Sequence, residues 1–394
     1  MAVASDTADA TQNEARQAAQ AYLNQRLADS KKTASTEPFK FPVIDIAKSF
    51  SSDIEDRKAV ALEIRNACMN SGFFHITGHA AKRFYALPLE KKEALHVKHS
   101  PYFRGYEPSD YTYVSKRLRS RISNGFAMVA LDINPSSLRA LFQSLTICQS
   151  LQVNPDDWNA ADAPQETKEA FNWGYEAGLD PTGGDGKYRE LDGKAVNGNV
   201  WPSEEDLPGF YAQVKEYYGA VLQLARHLFR LFALALELEE NYFDEMCTHP
   251  GGIARVLHYS PSKVAKTQED KEIGLGAHSD YECFTILLTS TVKGLEILSP
   301  DNQWISAPAA EGSFIINVAD FLMRWSNGLF RSTVHRVVPI PETRWSCPFF
   351  FSINYEQLVE TLPSCITPDN PSQYKPIRAG EYVLERLRAT ARDG

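Results

Sequence analysis

The spacing of apolar residues along the chain changes from helical to strand-like. Apolar positions recur every three or four residues over 57–70, which predicts a helix, and a short apolar run at 72–76 predicts a strand directly after it. A second helical pattern covers 207–238, with an apolar face that we expect to pack against a sheet. A last helix is predicted over 379–391.

Short strand-like segments separated by turn residues fill the region 252–355. One of them, the apolar run 283–289, reads as a buried strand. Such a series is typical of two sheets closed into a barrel or jelly roll. We therefore predict an α+β protein with a double-stranded β-helix (jelly roll) core and flanking helices.

The chain divides into three regions on this pattern. Residues 1–37 form a polar arm without an apolar face, and residues 38–206 form an N-terminal α/β region. Residues 207–394 hold the second helix, the jelly-roll core and the C-terminal helix. Within the N-terminal region, residues 114–152 stand out as an atypical insertion that carries four arginines.

Two explanations of the insertion remain open. It is either an ordinary loop or the translation of a retained intron, because Val114-Ser115 can be encoded by GTAAGT, a splice donor, and Gln152 by CAG, a splice acceptor. In the second case the chain is an isoform whose activity is lost. Sequencing the genomic locus and the transcript separates the two explanations.

Composition narrows the possible partners and the compartment. The 394 residues carry a net charge of −9, which argues against nucleic acid or an anionic membrane as a partner. No apolar stretch is long enough to span a bilayer. The six cysteines are widely separated and lack short disulfide or C-x-x-C spacings, which is typical of reduced thiols. We expect a cytoplasmic protein; its oligomeric state is open.

The motif His278-Ser279-Asp280, with His335 further along the chain, suggests a metal site. Two imidazoles and one carboxylate are the protein ligands of non-haem Fe(II) sites, which keep one face of the metal open. Alternation along an extended segment places His278 and Asp280 on the same face, so one strand could hold both. A chance His-x-Asp pair on the surface is the competing interpretation.

A second polar pair supports the metal interpretation. Arg344 and Ser346 precede an apolar run and, two residues apart on a strand, share one face. A guanidinium and a hydroxyl in this arrangement can bind a carboxylate at the far end of a small diacid.

These motifs together resemble the Fe(II)/2-oxoglutarate-dependent dioxygenases of the isopenicillin N synthase-like superfamily, in particular fungal thymine dioxygenase-like members. A weaker N-terminal match begins at Phe41. The matching core segments are Arg255–Tyr259, Gly276–Tyr281, Gly294–Ile297, Asn317–Asp320, Arg324–Asn327, the His335 segment and Arg344–Ser346.

The resemblance implies a role for each matching residue. His278, Asp280 and His335 would bind Fe(II). Arg344 and Ser346 would bind the distal carboxylate of 2-oxoglutarate, with Tyr259 as a further cosubstrate contact. The chain departs from the family at Leu257, where an asparagine is frequent. His258 neighbours Tyr259 on a strand and should point to the opposite face. No catalytic residue beyond the metal centre is expected.

The implied activity is oxidation, most simply hydroxylation, of a small organic molecule by O2 with release of succinate and CO2, in fungal catabolism or secondary metabolism. An oxidase or cyclase of the isopenicillin N synthase type, which uses no 2-oxoglutarate, is the alternative. Candidate substrate-pocket residues are Phe284, Phe349, Phe351, Arg104 and Asn199, although core packing is the more common role for buried aromatic residues.

Overall fold

The structure is a computed structural model. It describes residues 41–76, 105–107, 165–166, 168–194, 198–262, 272–300, 303–307 and 313–390. The predicted polar arm 1–37, the insertion 114–152 and the pocket candidate Arg104 lie outside the described residues.

The predicted helices are confirmed. Within the described residues the α-helices are α1 Ile54–Asn70, α2 Phe210–Ala235, α3 Asp320–Trp325 and α4 Ala379–Thr390. Helix α1 begins three residues before the predicted position because Asp53 caps it, its carboxylate accepting the Glu55 amide at 3.0 Å. No helix in the described part of the chain combines the length and apolar character needed to cross a membrane.

Strands occupy the region in which they were predicted and add several short pieces. In chain order they are β1 Phe73–Ile76, β2 Gly105–Glu107, β3 Gln165–Glu166, β4 Lys168–Gly174, β5 Gly252–Tyr259, β6 Glu272–Ile273, β7 Leu275–His278, β8 Phe284–Thr289, β9 Leu295–Leu298, β10 Trp304–Ser306, β11 Phe314–Val318, β12 His335–Val337, β13 Arg344–Phe351, β14 Leu358–Val359 and β15 Ile377–Arg378.

Two antiparallel sheets position the rest of the molecule. The larger has the order β1-β11-β8-β13-β5-β4-β2, and the smaller has the order β10-β9-β12-β7. Strands from the N-terminal region, β1, β2 and β4, join the larger sheet, so the two halves of the chain share one core. The fold is therefore α+β, with antiparallel sheets and flanking helices, as predicted.

Each face of the larger sheet has its own apolar cluster. Helix α2 covers one face, where Phe229 and Phe232 contact aromatic side chains of β8 and β13. On the other face Leu257 and Tyr259 of the larger sheet share a buried cluster with Ile297 of the smaller one. We call the volume between the two sheets the inter-sheet space. Alternation along each strand decides which side chains reach it.

Candidate metal centre

Two histidines meet across the smaller sheet. His278 is the last residue of β7 and His335 the first of β12, and the two are direct partners in the antiparallel register. Asp280 follows two residues after His278, in the connection to β8. The prediction that one strand holds both His278 and Asp280 was wrong: β7 ends at His278, and Asp280 lies in the connection that follows it.

The three side chains converge on one point. Asp280 Oδ1 lies 3.7 Å from His278 Nε2 and 3.6 Å from His335 Nε2. The candidate ligand atoms all lie within 4.8 Å of one another, and no other such group of His, Cys, Asp or Glu occurs among the residues that the structure describes. These separations suit three donors around one metal ion.

Hydrogen bonds fix the tautomer of both imidazoles. His278 Nδ1 lies 2.7 Å from the Gly276 carbonyl, and His335 Nδ1 lies 3.1 Å from the Thr333 carbonyl. Because a carbonyl oxygen only accepts, each Nδ1 carries the proton and each Nε2 presents a lone pair. Burial and the neighbouring His335 lower the pKa of His278, which favours the neutral form that binds metals.

The Asp280 carboxylate is also oriented. Its Oδ2 accepts hydrogen bonds from Thr285 Oγ1 at 2.5 Å and from Asn317 Nδ2 at 2.8 Å, so Oδ1 is the oxygen that faces the imidazoles. Burial opposes the charge, but His335, His278 and these two hydrogen bonds together hold the pKa of Asp280 below its usual value. The site therefore offers one anionic oxygen and two neutral nitrogens.

A buried cation lies in the inter-sheet space. The Arg344 side chain is almost fully enclosed, with a residue exposure of 1%. One guanidinium nitrogen donates to Thr289 Oγ1 at 2.7 Å and another to Ser346 Oγ at 3.4 Å, while the guanidinium carbon lies 4.9 Å from the centre of the Tyr259 ring. Burial lowers the pKa of Arg344. The predicted pair and Tyr259 thus come together on one face.

Arg344 has no acidic partner among the described residues. No carboxylate of theirs lies within ion-pair distance of it, and its buried Nε has no hydrogen-bond partner. An uncompensated buried charge is costly, and removing it from water is favourable only when an anion joins it. The arrangement fits an external carboxylate, as 2-oxoglutarate would supply.

The prediction for His258 is confirmed. Its ring stacks on Trp345 at 4.2 Å, and its Nδ1 lies 3.0 Å from Glu169, on the face opposite Tyr259.

Three aromatic pocket candidates are not brought to the metal centre. Phe284, Phe349 and Phe351 are fully buried on the face of the larger sheet that helix α2 covers, where Phe284 contacts Phe232 with ring centroids 4.9 Å apart. Their proposed pocket role is corrected to core packing. Phe350 has the same parity as Arg344 and Ser346 and, half-buried, faces the inter-sheet space instead.

Asn199 also has a structural role. Its amide accepts from the Gly174 amide at 2.8 Å and donates to the Gly174 carbonyl and the Glu176 carboxylate, both at 3.1 Å. These contacts tie a loop to the end of β4, and they do not reach the metal centre.

Three residues that support the site are absent from the set predicted from the sequence. Thr285 and Thr289 are polar positions of one parity in an otherwise apolar strand, and Asn317 interrupts the apolar strand β11. A buried polar residue in an apolar strand needs a hydrogen-bond partner. A polar position inside an apolar strand is therefore the sequence signal that identifies such supporting residues. Arg255, on the same face of β5 as Tyr259, lies close enough to His278 to help lower its pKa.

Sequence models of two families match the chain. The model described as the 2OG-Fe(II) oxygenase superfamily matches residues 252–353, which include the metal centre and Arg344. The model described as the N-terminal part of non-haem dioxygenases in morphine synthesis matches residues 41–128.

Relatives match over most of the chain. The 2-oxoglutarate-Fe(II) type oxidoreductase hxnY of Emericella nidulans is 32% identical over 360 residues, which cover 87% of this chain and 88% of that protein. The oxidoreductase ppzC of Metarhizium majus, described in the same words, is 30% identical over 89% of this chain and 87% of its own. The chain belongs to the 2OG-Fe(II) oxygenase superfamily.

A solved structure shares the fold of this chain. Full-length Neurospora crassa T7H in complex with alpha-KG and thymine superposes with a TM-score of 0.66 at 25% identity, over 91% of this chain and 99% of that one. The protein is thus an Fe(II)- and 2-oxoglutarate-dependent dioxygenase that acts on a small molecule with O2.

Proposed function

We propose that His278, Asp280 and His335 are the Fe(II) ligands of this dioxygenase. The two Nε2 atoms and Asp280 Oδ1 face one point, and the orientation of each is fixed by a hydrogen bond on its far side. The bound iron supplies activation of O2. Three protein ligands leave coordination positions for 2-oxoglutarate and O2.

Arg344, Ser346 and Tyr259 are the proposed contacts of the distal carboxylate of 2-oxoglutarate. Two parallel N–H groups and a hydroxyl suit a planar carboxylate, and Thr289 keeps the guanidinium in place. Binding would give the buried cation its missing counter-charge, which favours 2-oxoglutarate over a neutral cosubstrate.

The proposed reaction is hydroxylation of a C–H bond. O2, 2-oxoglutarate and the substrate become succinate, CO2 and the hydroxylated product. We propose further that the two packed sheets form the double-stranded β-helix, or jelly roll, predicted from the sequence. The chain's part in the chemistry is then to orient the C–H bond and to exclude water from the inter-sheet space.

The substrate is proposed to be a small organic molecule of fungal catabolism or secondary metabolism. Relatives include the clavatol oxidase claD of Penicillium crustosum, and T7H was solved with thymine. The net charge of −9 favours a small molecule over nucleic acid or an anionic membrane surface. Five described cysteines are all unpaired thiols, which supports a reducing compartment, the cytoplasm.

The observation that carries this proposal is the buried Arg344, which no carboxylate of the described residues accompanies, on the same side of the sheet as the histidine–aspartate cluster. The test is incubation of anaerobically purified protein with Fe(II), 2-oxoglutarate and a panel of heterocycles and polyketides, followed by measurement of succinate and product. We expect equal amounts of both. Product without succinate would contradict the proposal and identify a 2-oxoglutarate-independent oxidase instead.

We also propose that the chain divides into regions 1–37, 38–206 and 207–394. The family match in the N-terminal region ends at residue 128, inside the segment 114–152. A retained intron in this segment is still a prediction. Comparison of the genomic and transcript sequences tests it.

A further inference from the structure

A second buried carboxylate lies behind the metal centre and takes no part in the proposed reaction. Asp320, the first residue of α3, is buried. Its Oδ2 accepts a hydrogen bond from Ser279 Oγ at 3.1 Å and its Oδ1 accepts one from Ser332 Oγ at 2.6 Å. Its own amide donates to the Asp280 carbonyl at 2.9 Å.

These contacts join the two chain segments that carry the proposed ligands. Ser279 lies between His278 and Asp280, so the first segment is held through both a side chain and the main chain. Ser332 opens the second segment, which leads through Thr333 to His335. A displacement of the Asp320 carboxylate would therefore move both segments relative to each other.

The counter-charge of Asp320 comes from the C-terminal helix. Arg386 of α4 places Nη2 at 3.3 Å from Asp320 Oδ2, and its guanidinium carbon lies 4.7 Å from the centre of the Tyr281 ring, next to Asp280. The Asp320 side chain is 1% exposed and that of Arg386 17%. Removing one partner of such a pair leaves a buried charge, so it matters far more than a surface ion pair.

Packing sets the position of Arg386. Val383 and Ala379 of α4 are buried in the main core, and Tyr382 stacks on Phe321 of α3 with ring centroids 5.3 Å apart. Helices α3 and α4 thus pack against each other, and this packing positions the Arg386 guanidinium beside Asp320.

We propose that Arg386 is a positioning residue of the metal centre: by neutralising Asp320, it holds the two ligand-bearing segments at the separation at which His278, Asp280 and His335 meet. This inference rests on the proposed metal site. It gives the C-terminal helix, whose residues lie outside the inter-sheet space, a part in metal binding.

The test is Co(II) binding by the full-length apoprotein, followed by titration and by the visible absorption spectrum of the bound ion, which depends on ligand geometry. Arg386→Met keeps the apolar stem and removes the charge. We expect it to weaken Co(II) binding about tenfold, within the range known for outer partners of metal ligands, and to change the spectrum. Arg386→Lys should restore most of the affinity. Arg378→Met, which removes an exposed arginine that donates to the Glu356 carbonyl, is the matched control and should bind as the wild type does.

A second variant provides an independent test in case Arg386→Met does not fold. Ser332→Ala leaves the ion pair intact but removes the link from Asp320 to the second segment, so it should also weaken Co(II) binding, at a temperature well below its unfolding midpoint. Wild-type affinity and spectrum in Arg386→Met, or in Ser332→Ala if Arg386→Met does not fold, would overturn the inference. Failure of the wild type to bind Co(II), or binding that survives His278→Ala, would instead overturn the proposed metal site.

Discussion

The hydrogen bond from Thr285 to Asp280 allows a sharp test of how the metal centre is organised. Thr285→Val keeps the shape of the side chain and its β-branch but removes the hydroxyl that donates to Asp280 Oδ2 at 2.5 Å. Asn317 still donates to the same oxygen at 2.8 Å. The carboxylate then has one lateral hydrogen bond instead of two, and its rotation becomes easier.

The expected size of the effect follows from the charge of the acceptor. A hydrogen bond to a charged group contributes roughly 1.5–3 kcal/mol, and the remaining bond from Asn317 favours the lower end. Roughly 1.5 kcal/mol corresponds to about a tenfold loss of metal affinity, since 1.4 kcal/mol is a factor of ten. The loss of affinity should be accompanied by succinate formation that is less tightly matched to product, because a mobile ligand orients the centre less well.

The matched control lies on the same face of the same strand. Thr289→Val removes the hydroxyl that accepts a hydrogen bond from Arg344 at 2.7 Å, so it should raise the KM for 2-oxoglutarate and leave Co(II) affinity unchanged. Thr285→Val should weaken Co(II) binding and leave the KM for 2-oxoglutarate unchanged. Both are measured by Co(II) titration and by the dependence of succinate formation on 2-oxoglutarate concentration. Equal Co(II) affinity in Thr285→Val and the wild type would refute the assignment of a positioning role to this hydroxyl.

Further perturbations test other parts of the structure. Arg344→Lys should raise the KM for 2-oxoglutarate at least about tenfold, because a point charge replaces a planar fork of donors. An unchanged KM in the succinate assay would contradict the proposed contact between Arg344 and the cosubstrate carboxylate. At a metal concentration one hundred times its Kd, Co(II) should stabilise the wild type by about 2.7 kcal/mol in a thermal scan, and His278→Ala should lose this gain. Phe349→Ala should cost about 3–5 kcal/mol in urea unfolding, whereas Phe350→Ala should cost less and alter the KM for substrate; equal costs would refute the assignment of their faces. Burial lowers the pKa of His75, so the unfolded chain binds the proton more readily and stability present above about pH 6.5 is lost as the pH falls; His75→Asn should flatten this dependence, and an unchanged slope would contradict it.

Local periodicity predicted most of the architecture. The helix over Phe210–Ala235 and the strand Phe284–Thr289 follow directly from spacing, because a continuous apolar face can be buried in only one way. The pair of Arg344 and Ser346 could also be predicted from the sequence, since residues two apart on a strand must share a face.

Other features depend on distant partners that spacing does not reveal. The end of β7 at His278 depends on the path of the chain from β7 to β8. The side-chain amide of Asn199 forms hydrogen bonds with Gly174 and Glu176. The pairing of Asp320 with Arg386 joins helix α3 to helix α4. Phe349 lies an odd number of residues from Arg344 on strand β13, so alternation along the strand already places its side chain on the opposite face.

The register that sets His278 opposite His335 also has a consequence for the order of assembly. Strands β8 to β11 lie between the two residues in the chain, so the ends of a long loop must close before the imidazoles meet. In the unfolded chain only His278 and Asp280 lie close together, two residues apart, and such a pair is a poor chelator. We therefore expect iron to load after the sheets have formed, and metal added during refolding to leave the folding rate unchanged while it slows unfolding.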